Sequence, residues 1–205
     1  QNRWTALCDP LPPNRCDILG VGGDTGDGSS TRLAVVYALA VHADSARLFV
    51  GGVFSSAGQS RRFVDSLAVF NLITNSWSRV GGGIAGPNPL VRSLVVQSGI
   101  LYVGGSFSVV GRQNNDVFRE GIVSPAVAAY SLSTGTWSAL GGGIPGDDVV
   151  VYALAVSSGV RPVVYAGGLI PAYTGLATLA FGATKWSSVC TLNASSSEGL
   201  DNDGG

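Results

Sequence analysis

The chain has 205 residues, room for one or two domains, and 45% of them are apolar. Only 12% are charged and the net charge is −1, which excludes a disordered chain and leaves no electrostatic basis for binding nucleic acid. Its 30 glycines, with no methionine and no long helix-forming stretch, point to an all-β protein of short strands and tight turns.

Residues 1–32 form a Cys- and Gly-rich entry to the chain, in which Trp4 to Leu7 (WTAL) reads as a single strand. The chain opens on Gln1 without a basic leader, as expected of a processed or a cytosolic product. The longest apolar run, AVVYALAV at 34–41, is strand-sized, well short of the ~20 residues of a membrane helix. Membrane insertion is therefore not expected.

From there the chain repeats itself. VYALAV at 36–41 returns at 151–156, with VRSLVV at 91–96 in register between them. Each is followed by a strand ending in a glycine pair, LFVGGVF (48–54), LYVGGSF (101–107) and VYAGGLI (164–170). Then come LAVF (67–70), VAAY (127–130) and TLAF (178–181), and after a polar turn Trp77, Trp137 and Trp186. The reading is three four-stranded units at 33–80, 81–140 and 141–190, the last two including the crossover that enters them, and an acidic tail or linker at 191–205. A four-stranded meander cannot cover its own faces, so units must stack. The apolar first strands are expected to be buried on both sides, the glycine pairs to lie where a side chain would block close approach, and the tryptophans to wedge between sheets.

An apolar strand ending in Gly-Gly, then an aromatic, six residues and Trp resembles the kelch repeat of β-propeller blades. Phe70 to Trp77 and Tyr130 to Trp137 keep that gap, and Phe181 to Trp186 shortens it to four. The phrases WSRVGGG and WSALGGG are closer to the repeats of secreted and cell-surface propellers of the Rax2-like, galactose-oxidase type. The resemblance covers residues 33–190 and implies a propeller of four-stranded antiparallel blades, with three complete blades and one orphan N-terminal strand here. Propellers close with about four to eight blades. Other blades of a longer chain, or other subunits, are therefore expected to complete the ring.

Three cysteines are present. Cys8 and Cys16 enclose a short turn-rich loop that a disulfide could span; Cys190 follows WSSV as Cys8 follows WTAL, and equivalent positions of different blades lie beyond disulfide reach. A partner for Cys190 would then lie outside this segment, and three reduced, buried cysteines remain the alternative. Asn193 opens the sequon NAS, a glycosylation site if the protein is secreted. The expected location is extracellular or at the cell surface.

Motifs for chemistry are weak. GGGIAG (81–86) and GGGIPG (141–146) fit GxGxxG, but prolines and a strand follow where a dinucleotide site needs a helix. His42 is the only histidine, so a copper set like that of the oxidase branch is absent from this segment, and with Asp44 it lacks a serine in an elbow motif. SLSTGTW (131–137) resembles a sialidase Asp-box without the aspartate, and the acidic stretches at 23–30 and 198–205 are incomplete as calcium loops. No cofactor or metal is expected.

The loops that differ most between units follow the second strands, and the crossovers open on the same face. They gather Arg61, Arg62, Arg112, Asp116, Arg119 and Glu120, with Asp147 and Asp148 on a crossover. This rim is expected to contact a protein or a glycan, or else to be a solvated edge. The function expected is a non-enzymatic structural or interaction module of a coat, filament or adhesion protein. The alternatives are a segment of an oxidase-like or sialidase-like propeller enzyme whose catalytic residues lie elsewhere, or a glycan-binding propeller, with Phe63, Phe118 and Tyr173 as candidate loop aromatics.

Overall fold

Period-two apolar patterns broken by glycine turns give a chain built of strands, and a computed structural model describes residues 21–22, 34–58, 62–111 and 121–189, giving the backbone alone at 21, 22, 62 and 63. In chain order the strands are β1 (Val21–Gly22), β2 (Val35–His42), β3 (Arg47–Val53), β4 (Ser56–Ala57), β5 (Arg62–Phe63) and β6 (Leu67–Asn71). They continue with β7 (Ser76–Arg79), β8 (Ile84–Ala85), β9 (Leu90–Gln97), β10 (Ile100–Ser106), β11 (Val109–Val110) and β12 (Ile122–Val123). The last are β13 (Val127–Ser131), β14 (Thr136–Ala139), β15 (Val150–Val156), β16 (Val164–Leu169), β17 (Leu176–Leu179) and β18 (Ser187–Ser188). Single 3-10 turns lie at Ala43–Ser45 and Pro171–Tyr173, and the described residues contain no α-helix.

Three antiparallel four-stranded meanders follow the repeat, β2-β3-β6-β7, β9-β10-β13-β14 and β15-β16-β17-β18. They stack face to face. Phe49 and Leu67 of the first sheet share a core with Val91, Leu94, Leu101 and Val103 of the second. Tyr102, Val127 and Ala129 on the opposite face of the second sheet meet Val151, Ala166 and Leu179 of the third.

The two glycines of each pair have different reasons. A Cβ on the second would strike a backbone carbonyl of the neighbouring first strand, 1.9 Å from Val35 O at Gly52 and 2.1 Å from Leu90 O and Val150 O at Gly105 and Gly168. The register shift between the first two strands of each sheet falls beside these contacts. A Cβ on the first would strike the next sheet instead, 2.4 Å from Val91 Cγ1 at Gly51 and 2.8 Å from Val151 Cγ1 at Gly104.

Two smaller sheets, β1-β4-β5 and β8-β11-β12, were not expected. In the second of them the crossover strand β8 pairs with the hairpin that follows β10, so crossover and hairpin do share one face. The glycine triplet Gly81 to Gly83 turns through positive φ into β8, a strand, where a dinucleotide site would start a helix.

In the third unit the place of the aromatic is taken by a leucine and not, as the sequence suggested, by Phe181. The residue equivalent to Phe70 and Tyr130 is Leu179, because Leu176 pairs with Gly167 as Leu67 pairs with Gly51 and Val127 with Gly104. Leu179 is buried and Phe181 is exposed. Counted from Leu179, the third unit keeps the full six-residue gap to Trp186.

Candidate interaction surfaces

The first strands β2, β9 and β15 lie side by side, and identical sequence there meets different surroundings. Val91 and Leu94 are 0% and 8% exposed against the first sheet, and Val151 is 0% exposed against the second. Their equivalents on β2 are open: Val36 is 42% exposed, Leu39 60% and Val41 58%. Burial of the first strand on both sides therefore does not hold for β2, nor for β15, where Tyr152, Ala153 and Ala155 are exposed. The alternating residues Ala38 and Ala40 pack on the second sheet while Val36, Leu39 and Val41 face away from it.

The far face of the third sheet is the complement. Gly167 occupies the position of Gly51 and Gly104, yet the nearest atom to a Cβ there is Gly175 O at 4.0 Å. Among the described residues no valine of a following sheet fills the space. Leu176 beside it is exposed.

Tryptophans lock each sheet to the one before it. Trp137 Nε1–H donates to Gly81 O and Trp186 Nε1–H to Leu140 O, both at 2.8 Å, each acceptor lying in the turn after the preceding unit's last strand. Gly81 and Gly141 leave room for those indoles. Trp77 packs on Phe70 with ring centroids 5.0 Å apart, as Trp137 packs on Tyr130. Its Nε1 is buried with no acceptor among the described residues. Such a donor costs about 1–3 kcal/mol.

One residue per first strand, just after that first valine, forms a ladder that the repeat pattern passed over. The Arg92 guanidinium lies 4.6 Å from the Tyr37 ring centroid and 5.3 Å from that of Tyr152. Each cation–π contact contributes about 0.5–1 kcal/mol at a half-exposed site, so the ladder ties the three sheets together along their first strands. Its signal was available in the second letter of VYALAV, VRSLVV and VYALAV.

Among the expected rim residues, Asp147 and Asp148 are exposed on the turn before β15, Asp148 with φ at 59°. The backbone of Arg62 lies in β5. Arg61, Arg112, Asp116, Arg119 and Glu120 lie outside the described residues, as do Cys8, Cys16, Cys190, Asn193 and both acidic stretches. Asp65 of the same hairpin pairs with Arg79 of β7. Ile122 and Val123 of β12 add an exposed apolar edge near the rim.

His42 sits at the β2–β3 turn with Nδ1 2.6 Å from Ser45 Oγ and Nε2 3.9 Å from the exposed carboxylate of Asp44. These are contacts within one turn, and a hydrolase would also need an oxyanion hole and a cleft beside them. Among the described residues no three His, Cys, Asp or Glu side chains converge as metal ligands would, and no helix is long and apolar enough to cross a membrane.

No known family matches the chain, and no curated protein matches it. Among solved structures it is similar to the computationally designed Ika4 protein, at 15% identity and a TM-score of 0.46 over 76% of this chain and 72% of that one. It is also similar to the computationally designed Ika8 protein, at 15% identity and a TM-score of 0.45 over 76% of this chain, which spans 36% of Ika8.

Proposed function

We propose that the chain is a propeller segment serving as a non-enzymatic structural or interaction module at the cell surface or outside the cell. Its two end faces receive further sheets of the same kind, in the same chain or in another copy. The observation that carries this reading is the contrast between Val36, Leu39 and Val41, which are open, and the same positions on β9 and β15, where Val91, Leu94 and Val151 are buried and Val96, Leu154 and Val156 half-buried. Burying a Val or Leu side chain fully contributes about 1.5–3 kcal/mol, so covering β2 is strongly favoured. The open space at Gly167 and the Trp77 Nε1–H, which has no acceptor among the described residues, support it from the two ends.

The rim residues Arg62, Asp147 and Asp148, with Arg61, Arg112, Asp116, Arg119 and Glu120, are the surface through which the module contacts a protein or glycan. Sedimentation of the chain and of Leu39→Asp tests the ring reading. The unaltered chain associates as its concentration rises; the variant keeps its circular dichroism and thermal midpoint, because Leu39 is exposed, and stays monomeric. A chain that is monomeric at every concentration would refute the proposal.

A further inference from the structure

A repeat should build the same packing between its first and second sheets as between its second and third, and here it does not. On the first sheet's inner face, Arg47, Asn71 and Ser76 make one cross-strand row and Phe49, Val69 and Ser78 the next. The row equivalent to the former on the second sheet is Ile100, Ser131 and Thr136, and Ile100 packs into the core shared with the third sheet. Where Arg47 replaces it, a cavity of about 220 Å³ opens, bordered by Arg47, Asn71, Ser76, Ser78 and Arg79 and walled by Tyr130 of the second sheet.

The polar groups around this cavity are chiefly donors. Arg47 has no carboxylate partner among the described residues. Asn71 spends its Oδ1 on the N–H groups of Ile73 and Thr74, which leaves its amide N–H groups to give. Asp65, the carboxylate paired to Arg79, is already engaged, and Arg79 Nε is buried without an acceptor among the described residues. Burial pushes the Tyr130 phenol above its ordinary value while the charge of Arg47 pulls it partly back, so the phenol lies within the guanidinium's field. The volume is below the ~300–1,000 Å³ of pockets for drug-sized ligands and is room for about seven waters at ~30 Å³ each. A planar guanidinium matches the oxygens of a carboxylate, sulfate or phosphate in bidentate fashion.

We propose that the cavity between the first and second sheets binds a small oxyanion, with Arg47 as its charge partner and Asn71 and Tyr130 as further donors. The group is a free ion or the acidic function of a sugar. The test is calorimetric titration of the full chain with sodium sulfate and with glucuronate at fixed ionic strength, repeated on Arg47→Ile and Arg47→Gln. Saturable binding is expected in the unaltered chain, weakened at least tenfold in both variants. Arg47→Ile is expected to hold or raise the thermal midpoint, since isoleucine fills the equivalent place in the second sheet; Arg47→Gln keeps the test readable should the isoleucine variant not fold. Tighter binding of sulfate assigns a free ion, and tighter binding of glucuronate assigns a sugar acid. Binding of neither, or equal binding by the variants, overturns the proposal.

Discussion

Three equivalent glycines offer a controlled perturbation, because they differ only in what lies opposite. Gly51→Ala places a methyl 2.4 Å from Val91 Cγ1 and 2.9 Å from Val91 Cβ, and Val91 is 0% exposed with nowhere to move. Overpacking of that kind costs about 1–3 kcal/mol, offset by about 0.4–1 kcal/mol from a less flexible unfolded chain. The net expectation is a loss of about 1–2 kcal/mol, with Gly104→Ala at the lower end because its contact is 2.8 Å. In the dissociated chain Gly167→Ala meets only an oxygen at 4.0 Å, so the entropic gain stands alone and the variant is neutral or stabilised by up to about 1 kcal/mol. Gly168→Ala is the internal control, since its methyl would lie 2.1 Å from Val150 O within its own sheet and must destabilise. Urea unfolding midpoints measured at unchanged slope give the comparison. At concentrations too low for association, equal losses for Gly51→Ala and Gly167→Ala would refute the claim that the first glycine of each pair answers to the next sheet.

The tryptophans make a second comparison: Trp137→Phe removes the hydrogen bond to Gly81 O, whereas Trp77→Phe removes none among the described residues. Trp137→Phe should therefore cost about 1 kcal/mol more in chemical unfolding, and equal costs would contradict the lock. Alkaline pH gives a third. Burial raises the Tyr102 phenol above its ordinary value near 10, so the unfolded chain ionises first, and stability present below about pH 10 is lost as pH rises through the folded value. Tyr102→Phe should flatten that loss, measured as thermal midpoint against pH; an unchanged slope would count against it.

Much of the fold was legible because the repeat is written in residues that the packing requires. VYALAV and its equivalents mark first strands, and the glycine pairs mark both a backbone approach and a sheet-to-sheet approach. The small sheets were not legible, since two-residue strands such as Ile84–Ala85 carry no alternation to read. Phe181 was matched to Phe70 by residue type, whereas pairing register selects Leu179, and only cross-strand partners reveal register. The exposure of β2 was hidden for another reason: identical letters on β2 and β15 imply one environment, and the environment depends on a neighbouring sheet that a strand's own sequence does not encode. The Arg47 cavity was missed because Arg47 resembles an ordinary turn-flanking cation until it is set beside Ile100.

In the proposed assembly the two end faces are complementary, Gly167 receiving Val36 as Gly51 receives Val91. A Cβ on Gly51 would lie 2.9 Å from Val91 Cβ, within the small adjustment that a disulfide's Cβ separation of about 3.5–4.5 Å needs. Mixing a Gly167→Cys chain with a Val36→Cys chain under mild oxidation, then identifying cross-linked peptides by mass, measures the contact directly. If the proposed end faces meet, a peptide pair joined through positions 36 and 167 is expected. Cross-links confined to the native cysteines, with that pair absent, would contradict the proposed assembly.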